Sequence, residues 1–245
     1  NKCMELLETP KVKEQLVRLR CQELLNRKEI AVYQDQVYRY ATAKAEEQVA
    51  MRVGERIRQG SIHLRTDLDA EIVRMERLLG VTLAPEQRMA VKTCLHSPIS
   101  IITGGPGTGK TMIQRFILEL YKKANLTGSI VCCAPTGRAA RRMEQATGHP
   151  ASTIHKALGL FADTDGEYGD PAILDADLVI ADEVSMLDIH LAKHLLNALP
   201  SRCQLILVGD ADQLPSVGPG SVLYELLASG AVPAVKLDKV YRQST

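Results

Sequence analysis

One stretch of eight residues limits what this chain can fold into more than any other, Gly104-Gly105-Pro106-Gly107-Thr108-Gly109-Lys110-Thr111. It matches the pattern G-x-x-x-x-G-K-[ST] and lies between an apolar run and a segment with helical periodicity. Glycines let the backbone wrap closely around a phosphate group, and the helix that follows directs its amino end at the anion. We therefore predict a phosphate-binding loop in which Lys110 reaches the terminal phosphates and Thr111 binds Mg²⁺; the alternative is a glycine-rich turn without nucleotide. The predicted nucleotide contacts in this loop are Gly105, Pro106, Gly107, Thr108, Gly109, Lys110 and Thr111.

Short apolar runs separated by helical segments begin after residue 81 and predict the fold class. The runs are residues 99–102, 130–133, 178–181, 205–208 and, more weakly, 235–237. Near-continuous apolar strands of this kind are buried on both faces, as in a parallel sheet flanked by helices. We predict an α/β doubly wound domain over residues 81–245, and we expect its chemistry directly after each run, because ligands bind beyond the carboxyl ends of such strands.

The first 80 residues have a different pattern, because they contain only three glycines and their apolar residues recur at helical spacing. One helix is predicted to begin near Pro10, and another over Leu68–Leu79, with Asp67 as its cap and Gly80 as its stop. The longest apolar stripe is Tyr38, Ala41, Ala45, Val49, Val53 and Ile57. We predict an all-helical segment over residues 1–80, either a bundle or a linker, without recognisable chemistry.

Two carboxylates, Asp182 and Glu183, directly follow the third run. A carboxylate at a strand end can hold Mg²⁺, and a second one beside it can activate the attacking water. Asp-Glu is common on protein surfaces, but here it ends an apolar strand downstream of a phosphate loop, which favours hydrolysis over simple nucleotide binding. Gln213 follows the fourth run and could contact the γ-phosphate and the water; a turn-rich loop is the alternative.

Three arginines, Arg138, Arg141 and Arg142, share a face of the helix predicted to start near Gly137, because they lie at positions i, i+3 and i+4. With Thr136 and the amino end of the helix, they could grip a nucleic-acid backbone without reading its sequence. The alternative is a solvated basic face.

The formal net charge of +1 hides a segregation of charge along the chain. Residues 81–160 carry 10 basic and 3 acidic side chains, whereas residues 161–245 carry 5 and 13. This excludes a protein that is basic all over, but not a local phosphate-binding surface. The sequence has no apolar run of the ~18 residues needed to span a bilayer, and no signal peptide, which predicts a cytoplasmic protein without a membrane partner. The six cysteines lack C-x-x-C spacing, so we expect neither disulfides nor structural zinc.

Taken together, these motifs resemble those of superfamily 1 helicases, and in detail the RecD-like branch. The matching segments over residues 68–245 include Gln87, the phosphate loop, residues 134–142, Thr153-Ile154-His155, Asp182-Glu183, residues 208–220 and Val240-Tyr241-Arg242-Gln243. The resemblance implies a RecA-like fold and an ATP-dependent, 5′→3′ DNA helicase that hydrolyses ATP with Mg²⁺. It also implies single-stranded DNA as a partner, with roles in DNA repair and recombination and with nuclease or repair proteins as further partners.

The resemblance assigns roles to single residues. It implies that Gln87 reads the adenine, that Asp182 holds the metal with Thr111, and that Glu183 is the catalytic base. Gln213 resembles a γ-phosphate sensor, and Arg242 resembles the arginine that approaches the γ-phosphate. The predicted catalytic set is Lys110, Glu183, Gln213 and Arg242. The predicted DNA contacts are Thr136, Arg138, Arg141 and His155.

Two features depart from the RecD-like pattern. The strand-separating hairpin of that family corresponds here to a short acidic stretch, residues 160–173, which would repel DNA around its predicted Asp165-Gly166 turn. The chain also begins at Asn1 and ends before a second RecA-like domain, so we expect an amino-terminal piece of a longer helicase that hydrolyses ATP poorly alone. The alternatives are the helicase part of a conjugative relaxase, and a nucleotide-dependent DNA-binding or partner-docking module that does not unwind.

Overall fold

The computed structural model describes residues 11–33, 36–62, 67–124, 128–160, 169 and 171–240. The chain divides into two compact units, residues 1–48 and 49–245. The first contains α1 (Lys11–Asn26) and an antiparallel hairpin of β1 (Ile30–Tyr33) and β2 (Gln36–Arg39), after which α2 (Tyr40–Ile57) begins. The expectation of an all-helical segment is therefore wrong at this hairpin. Its strands are rich in β-branched and aromatic residues, and Tyr33 and Tyr38 pack edge to face with their ring centroids 6.0 Å apart.

The remaining elements belong to the second unit and form an α/β domain. A six-stranded sheet has the strand order β5-β4-β6-β7-β3-β8, and every neighbouring pair in it is parallel. The predicted α/β class with a parallel sheet flanked by helices is confirmed. The elements are α3 (Leu68–Leu79), α4 (Pro85–His96), β3 (Ile99–Gly104), α5 (Lys110–Ala124), β4 (Ile130–Ala134), α6 (Gly137–Thr147), β5 (Ala151–Thr153), α7 (Ile154–Ala157), β6 (Leu178–Ala181), a 3-10 turn (Val184–Met186), α8 (Ile189–Ala198), β7 (Gln204–Gly209), α9 (Val222–Ser229) and β8 (Ala234–Leu237).

Helix α3 begins and ends where its sequence predicts. The Asp67 carboxylate accepts hydrogen bonds from the backbone N–H groups of Asp69 and Ala70, at 3.0 and 3.2 Å. Gly80 adopts φ +64°, a left-handed conformation that glycine reaches at little cost, and it ends the helix. These two caps fix the point at which the chain turns toward α4.

The core lies on both faces of the sheet. Every residue of β3, β6 and β7 is buried, which is why their sequences are near-continuous apolar runs. Helix α5 presents Ile113, Phe116 and Ile117 to this core, all fully buried. Cys132 and Cys133 of β4 are buried free thiols. Within the described ranges, none of the helices is both long and apolar enough to cross a membrane.

The parallel arrangement brings the predicted motifs to one edge of the sheet. The phosphate loop follows β3, Asp182 and Glu183 follow β6, and Asp210 follows β7, which pairs with both of those strands. The backbone N–H of Ala211 donates to Thr103 Oγ1 at 3.1 Å, which ties the loop after β7 to the end of β3. The candidate site is therefore built at the carboxyl ends of the strands.

Candidate nucleotide-binding site

The phosphate loop adopts a backbone that requires glycine at two positions. Gly107 has φ +78° and Gly109 has φ +90°, both in the region that L side chains rarely adopt. A Cβ atom on Gly109 would lie 2.5 Å from Nε2 of Gln87, which is closer than real Cβ atoms come to a neighbour. The loop is also braced internally, because the Thr108 hydroxyl donates to the Gly105 carbonyl at 2.9 Å.

The Lys110 ammonium group is folded over the loop that precedes it. Its Nζ donates to the carbonyl oxygens of Gly104 and Gly105, the second at 3.0 Å. An ammonium group held here by neutral carbonyls is positioned for phosphate oxygens, which bind a cation more strongly than carbonyls do.

A cavity of about 910 Å³ opens between the loop and the strand ends. This volume lies in the range of small-molecule sites, which is about 300–1,000 Å³. The structure brings the predicted phosphate loop, Gln87, Asp182 and Glu183 together around this one cavity. Its lining residues are Val81, Thr82, Leu83, Gln87, Gly105, Pro106, Gly107, Thr108, Gly109, Lys110, Thr111, Met112, Arg115, Ala146, Asp182 and Glu183.

The two carboxylates differ in how the backbone presents them. The backbone N–H of Glu183 donates to Asp182 Oδ1 at 2.9 Å. Glu183 itself has φ +53°, and Lys28 is the only other non-glycine residue with positive φ in the described chain. Such a conformation costs about 1–3 kcal/mol and is found mainly where the surroundings enforce it, as at active sites. The strained backbone therefore marks Glu183, directly after β6, as a candidate functional residue.

Burial raises the pKa of both carboxyl groups. The negative charge of Asp182 raises the pKa of Glu183 further, whereas Lys110 and Arg142 lower it. A raised pKa brings a carboxylate base closer to neutral pH, where general-base catalysis is most effective. The raised pKa of Glu183 therefore suits its predicted role as a base.

The donor set also fits a magnesium ion. Thr111 and Asp182 offer oxygen atoms on the same cavity, and Mg²⁺ in nucleotide sites is commonly held by one or two such ligands together with phosphates. No group of three or more His, Cys, Asp or Glu residues suited to a metal occurs in the part of the chain that the structure describes.

Sequence reasoning missed Gln114, which lies one helical turn after Lys110. Its side chain is fully buried, and neither its Nε2 nor its Oε1 meets a partner with hydrogen-bond geometry among the described residues. The amide nevertheless favours the ionised form of Asp182 and lowers the pKa of that carboxyl group against the effect of burial. A polar residue between Ile113 and Phe116 on the buried face of α5 was the sequence signal for it.

Two arginines also belong to this site. Arg115 lines the cavity from α5. Arg142, which the sequence groups with the basic DNA face, is exposed but lowers the pKa of Glu183. Ala146, one turn further along α6, lines the cavity too. Arg142 and Ala146 are four residues apart and therefore share one face of α6, and this face is turned toward the cavity.

Gln213 lies in a separate, smaller cavity of about 150 Å³. Its Oε1 accepts from the Ser185 hydroxyl at 3.3 Å, and its Nε2 donates to Asp210 Oδ2 at 3.3 Å. Ser185 is two residues after Glu183, so the network connects Gln213 to the end of β6 without entering the larger cavity. Its role as a γ-phosphate sensor stays a prediction.

The predicted DNA contacts come together at the ends of β4 and β5. Thr136 caps α6, because its Oγ1 accepts from the backbone N–H of Ala139 at 3.2 Å. A Cβ atom on Gly137 would lie 3.9 Å from Thr153 of the segment that contains His155. Arg138 and Arg141 are exposed on α6. Arg242 and the acidic residues predicted to flank the hairpin turn, Asp163, Asp165, Glu167 and Asp170, lie outside the described residues.

The parallel sheet, the loop after β3 and the paired carboxylates after β6 define a P-loop nucleotide-binding domain with RecA-like architecture. The chain belongs to the AAA domain family, whose model matches residues 87–219.

Known proteins resemble parts of this chain. It is 40% identical over 168 residues to the ATP-dependent RecD2 DNA helicase of Deinococcus radiodurans. The aligned region covers 66% of this chain and 22% of that protein. It is 40% identical over 163 residues to the RecBCD enzyme subunit RecD of Haemophilus influenzae, covering 57% and 26%. A solved structure of two coordinating Pif1 helicases at forked DNA has a TM-score of 0.49 and 21% identity, covering 67% of this chain and 46% of that one. The predicted resemblance to RecD-like helicases is confirmed, and the chain spans about a quarter of the length of these curated relatives.

Proposed function

We propose that this chain is the ATP-binding part of a RecD-like DNA helicase that moves 5′→3′ on single-stranded DNA. The observation that carries the proposal is the convergence of the phosphate loop, Asp182 and Glu183 on one cavity. In this proposal residues 81–245 are the first RecA-like core domain, and residues 1–80 precede it. The similarity to the RecD2 and RecD helicases supports the same function.

The proposed chemistry follows from the groups around the cavity. Lys110 and the N–H groups of the loop would hold the β- and γ-phosphates, and Gln87 would contact the base. Mg²⁺, held by Thr111 and Asp182, would neutralise negative charge on the phosphates. Glu183 would orient a water molecule and take its proton as the water attacks the γ-phosphorus, releasing ADP and phosphate. Gln213 and Arg242 would respond to the γ-phosphate.

Replacement of Lys110 by alanine tests nucleotide binding directly. Loss of a charge-assisted hydrogen bond to the phosphates is expected to weaken ATP binding by about tenfold or more. The affinity is measured by calorimetric titration with a non-hydrolysable ATP analogue and Mg²⁺. The control is Lys122→Ala at the far end of α5, where the lysine pairs with Glu119 in an exposed ion pair. Equal affinities of the Lys110 variant and the unaltered chain would refute the assignment of this cavity to ATP.

The double variant Arg138→Ala/Arg141→Ala tests the proposed DNA surface. We expect weaker binding of single-stranded DNA, and a dependence of log affinity on log salt that is shallower by about 0.7 for each phosphate that is no longer neutralised. Both quantities come from fluorescence anisotropy with a labelled oligonucleotide at several salt concentrations. Arg74→Ala/Arg77→Ala, on α3, removes the same charge from a different surface. If the two double variants weaken DNA binding equally, the residues on α6 are only a solvated basic face.

A further inference from the structure

We propose that Glu76 is a positioning residue for the nucleotide base, because it fixes the backbone of residues 81–84 as one wall of the cavity. The inference rests on the proposed binding of nucleotide. Glu76 lies on α3, outside residues 87–219 that the family model matches, and it is not one of the site residues predicted from the sequence.

The Glu76 carboxylate is buried, with 7% of the residue's surface exposed, and both of its oxygens are occupied. Oε1 accepts from the backbone N–H of Leu83 at 2.8 Å and from Nε of Arg88 at 3.0 Å. Oε2 accepts from Nη2 of Arg88 at 2.7 Å. One side chain thus joins the end of α3, the cavity wall and the first turns of α4.

The neighbouring N–H groups of the wall are fixed by the same two helices. The N–H of Val81 donates to the Glu76 carbonyl at 3.0 Å, and the N–H of Ala84 donates to Oε1 of Gln87 at 3.0 Å. Gln87 then donates from Nε2 to the Thr108 carbonyl of the phosphate loop at 2.9 Å. The wall and the phosphate loop are therefore held in register by Glu76 and Gln87.

One backbone N–H group of residues 81–84, that of Thr82, is available to a ligand. Over the described chain, the backbone N–H of Thr82 has no hydrogen-bond acceptor, and Thr82 is an exposed residue that lines the cavity. The phosphates of a nucleotide are directed to the loop and to Lys110, which leaves this wall and Gln87 for the base. A base carries ring nitrogens that accept hydrogen bonds, so a rigid wall with an unpaired N–H suits base recognition, and its rigidity lowers the ordering cost of binding.

The ion pair with Arg88 explains why a carboxylate stands at position 76. A buried carboxylate needs a charged partner, and Arg88 supplies two parallel hydrogen bonds from the position next to Gln87. Loss of the negative charge weakens the attachment of α4 to the wall, although a glutamine could still accept from Leu83. The consequence is displacement of the wall rather than of the phosphate loop.

The test compares two ligands that differ in the base, a non-hydrolysable ATP analogue and inorganic tripolyphosphate, each titrated with Mg²⁺ by calorimetry. Glu76→Gln is expected to lower the affinity for the ATP analogue about tenfold and to change the affinity for tripolyphosphate by no more than about twofold. In hydrolysis assays KM for ATP rises, whereas kcat at saturating ATP is unchanged. The matched control is Glu71→Gln on the same helix, whose carboxylate pairs with Lys123. This control should leave the affinity for both ligands unchanged.

Arg88→Gln provides a second variant for the case in which Glu76→Gln fails to fold, and it should give the same pattern. Equal weakening of both ligands would overturn the proposal, because it would indicate a general effect on folding or on the phosphate loop. An unchanged affinity for the ATP analogue would also overturn it. If the unaltered chain binds neither ligand, the proposed nucleotide binding itself fails.

Discussion

Replacement of Glu183 by glutamine is expected to lower the slow ATP turnover of this chain by about 10²-fold or more, since a general base usually contributes about 10²- to 10⁴-fold. Glutamine has the same shape but accepts no proton from the attacking water. ATP affinity should change by less than about threefold, because the phosphate loop and Lys110 are untouched. Turnover is followed by phosphate release at saturating ATP, and affinity by titration with the ATP analogue.

The control for this substitution is Glu144→Gln, which neutralises an exposed carboxylate on α6. It should leave turnover unchanged. Unchanged turnover in the Glu183 variant would refute its role as the base, and a parallel loss of affinity would mean that Glu183 binds the nucleotide instead. Both glutamate and glutamine carry a Cβ atom, so the left-handed backbone at this position is equally strained in the two proteins.

The carboxyl groups of Asp182 and Glu183 both have raised pKa values, but different neighbours act on each. Burial raises the pKa of each, but Gln114, the N–H of Glu183 and Lys110 act against that rise at Asp182. At Glu183 the adjacent negative charge adds to the effect of burial. The hydrogen bonds to Asp182 favour its carboxylate form, which is the form that the proposed metal ligand requires.

The parallel sheet could be predicted because its strands are buried on both faces and read as uninterrupted apolar runs. The hairpin over residues 30–39 could not, because its strands are only four residues long and partly exposed, and β2 has a polar residue at each end. Tyr38 illustrates the error, since it fits the helical stripe by spacing yet lies in β2. The three-residue strand β5 was missed for a similar reason, as its stability comes from pairing with β4 rather than from its own sequence.

The site residues also differ in whether their signal is local in the sequence or depends on the fold. The phosphate loop and the Asp182-Glu183 pair are local motifs, so the sequence contains their whole signal. Glu76, Gln114 and Arg142 act on groups far along the chain, and their importance appears only when the fold brings the partners together. A charged residue near the end of a helix is usually solvated, and no spacing rule distinguishes Glu76 from the exposed glutamates around it.

Arg56 is a buried charged residue whose loss should cost much stability. Its guanidinium group is buried, with 4% of the residue exposed, and burial lowers its pKa. Its three acceptors are all backbone carbonyls in the turn between α8 and β7. Nη1 donates to Cys203, and Nη2 donates to Leu199 at 3.3 Å and to Pro200 at 3.0 Å. These carbonyls follow the carboxyl end of α8, where a cation is favoured by the helix dipole.

Arg56→Ala is expected to lower the free energy of unfolding by about 3 kcal/mol, because it removes the guanidinium donor from the buried carbonyls of Leu199 and Cys203. That corresponds to a fall in Tm of roughly 2–4 °C for each kcal/mol in a chain of this size. The Pro200 carbonyl still accepts from the backbone N–H of Cys203 at 3.0 Å. The Arg52 and Gln59 hydrogen bonds to the same region, at 3.1 and 2.8 Å, limit the loss. The measurement is urea unfolding followed by circular dichroism, with the exposed Arg58→Ala as control.

The same variant separates stability from function, because the turn at residues 199–203 precedes β7 and the nucleotide cavity lies beyond the carboxyl ends of the strands. At a temperature where the Arg56 variant remains folded, its affinity for the ATP analogue should match that of the unaltered chain. A guanidinium with planar, fixed donors can reach three carbonyls at once, whereas a lysine ammonium at the end of a flexible chain is poorly matched to them, so Arg56→Lys should recover little of the stability. Full recovery by lysine would show that the charge at the end of α8, rather than the hydrogen-bond geometry, stabilises this turn.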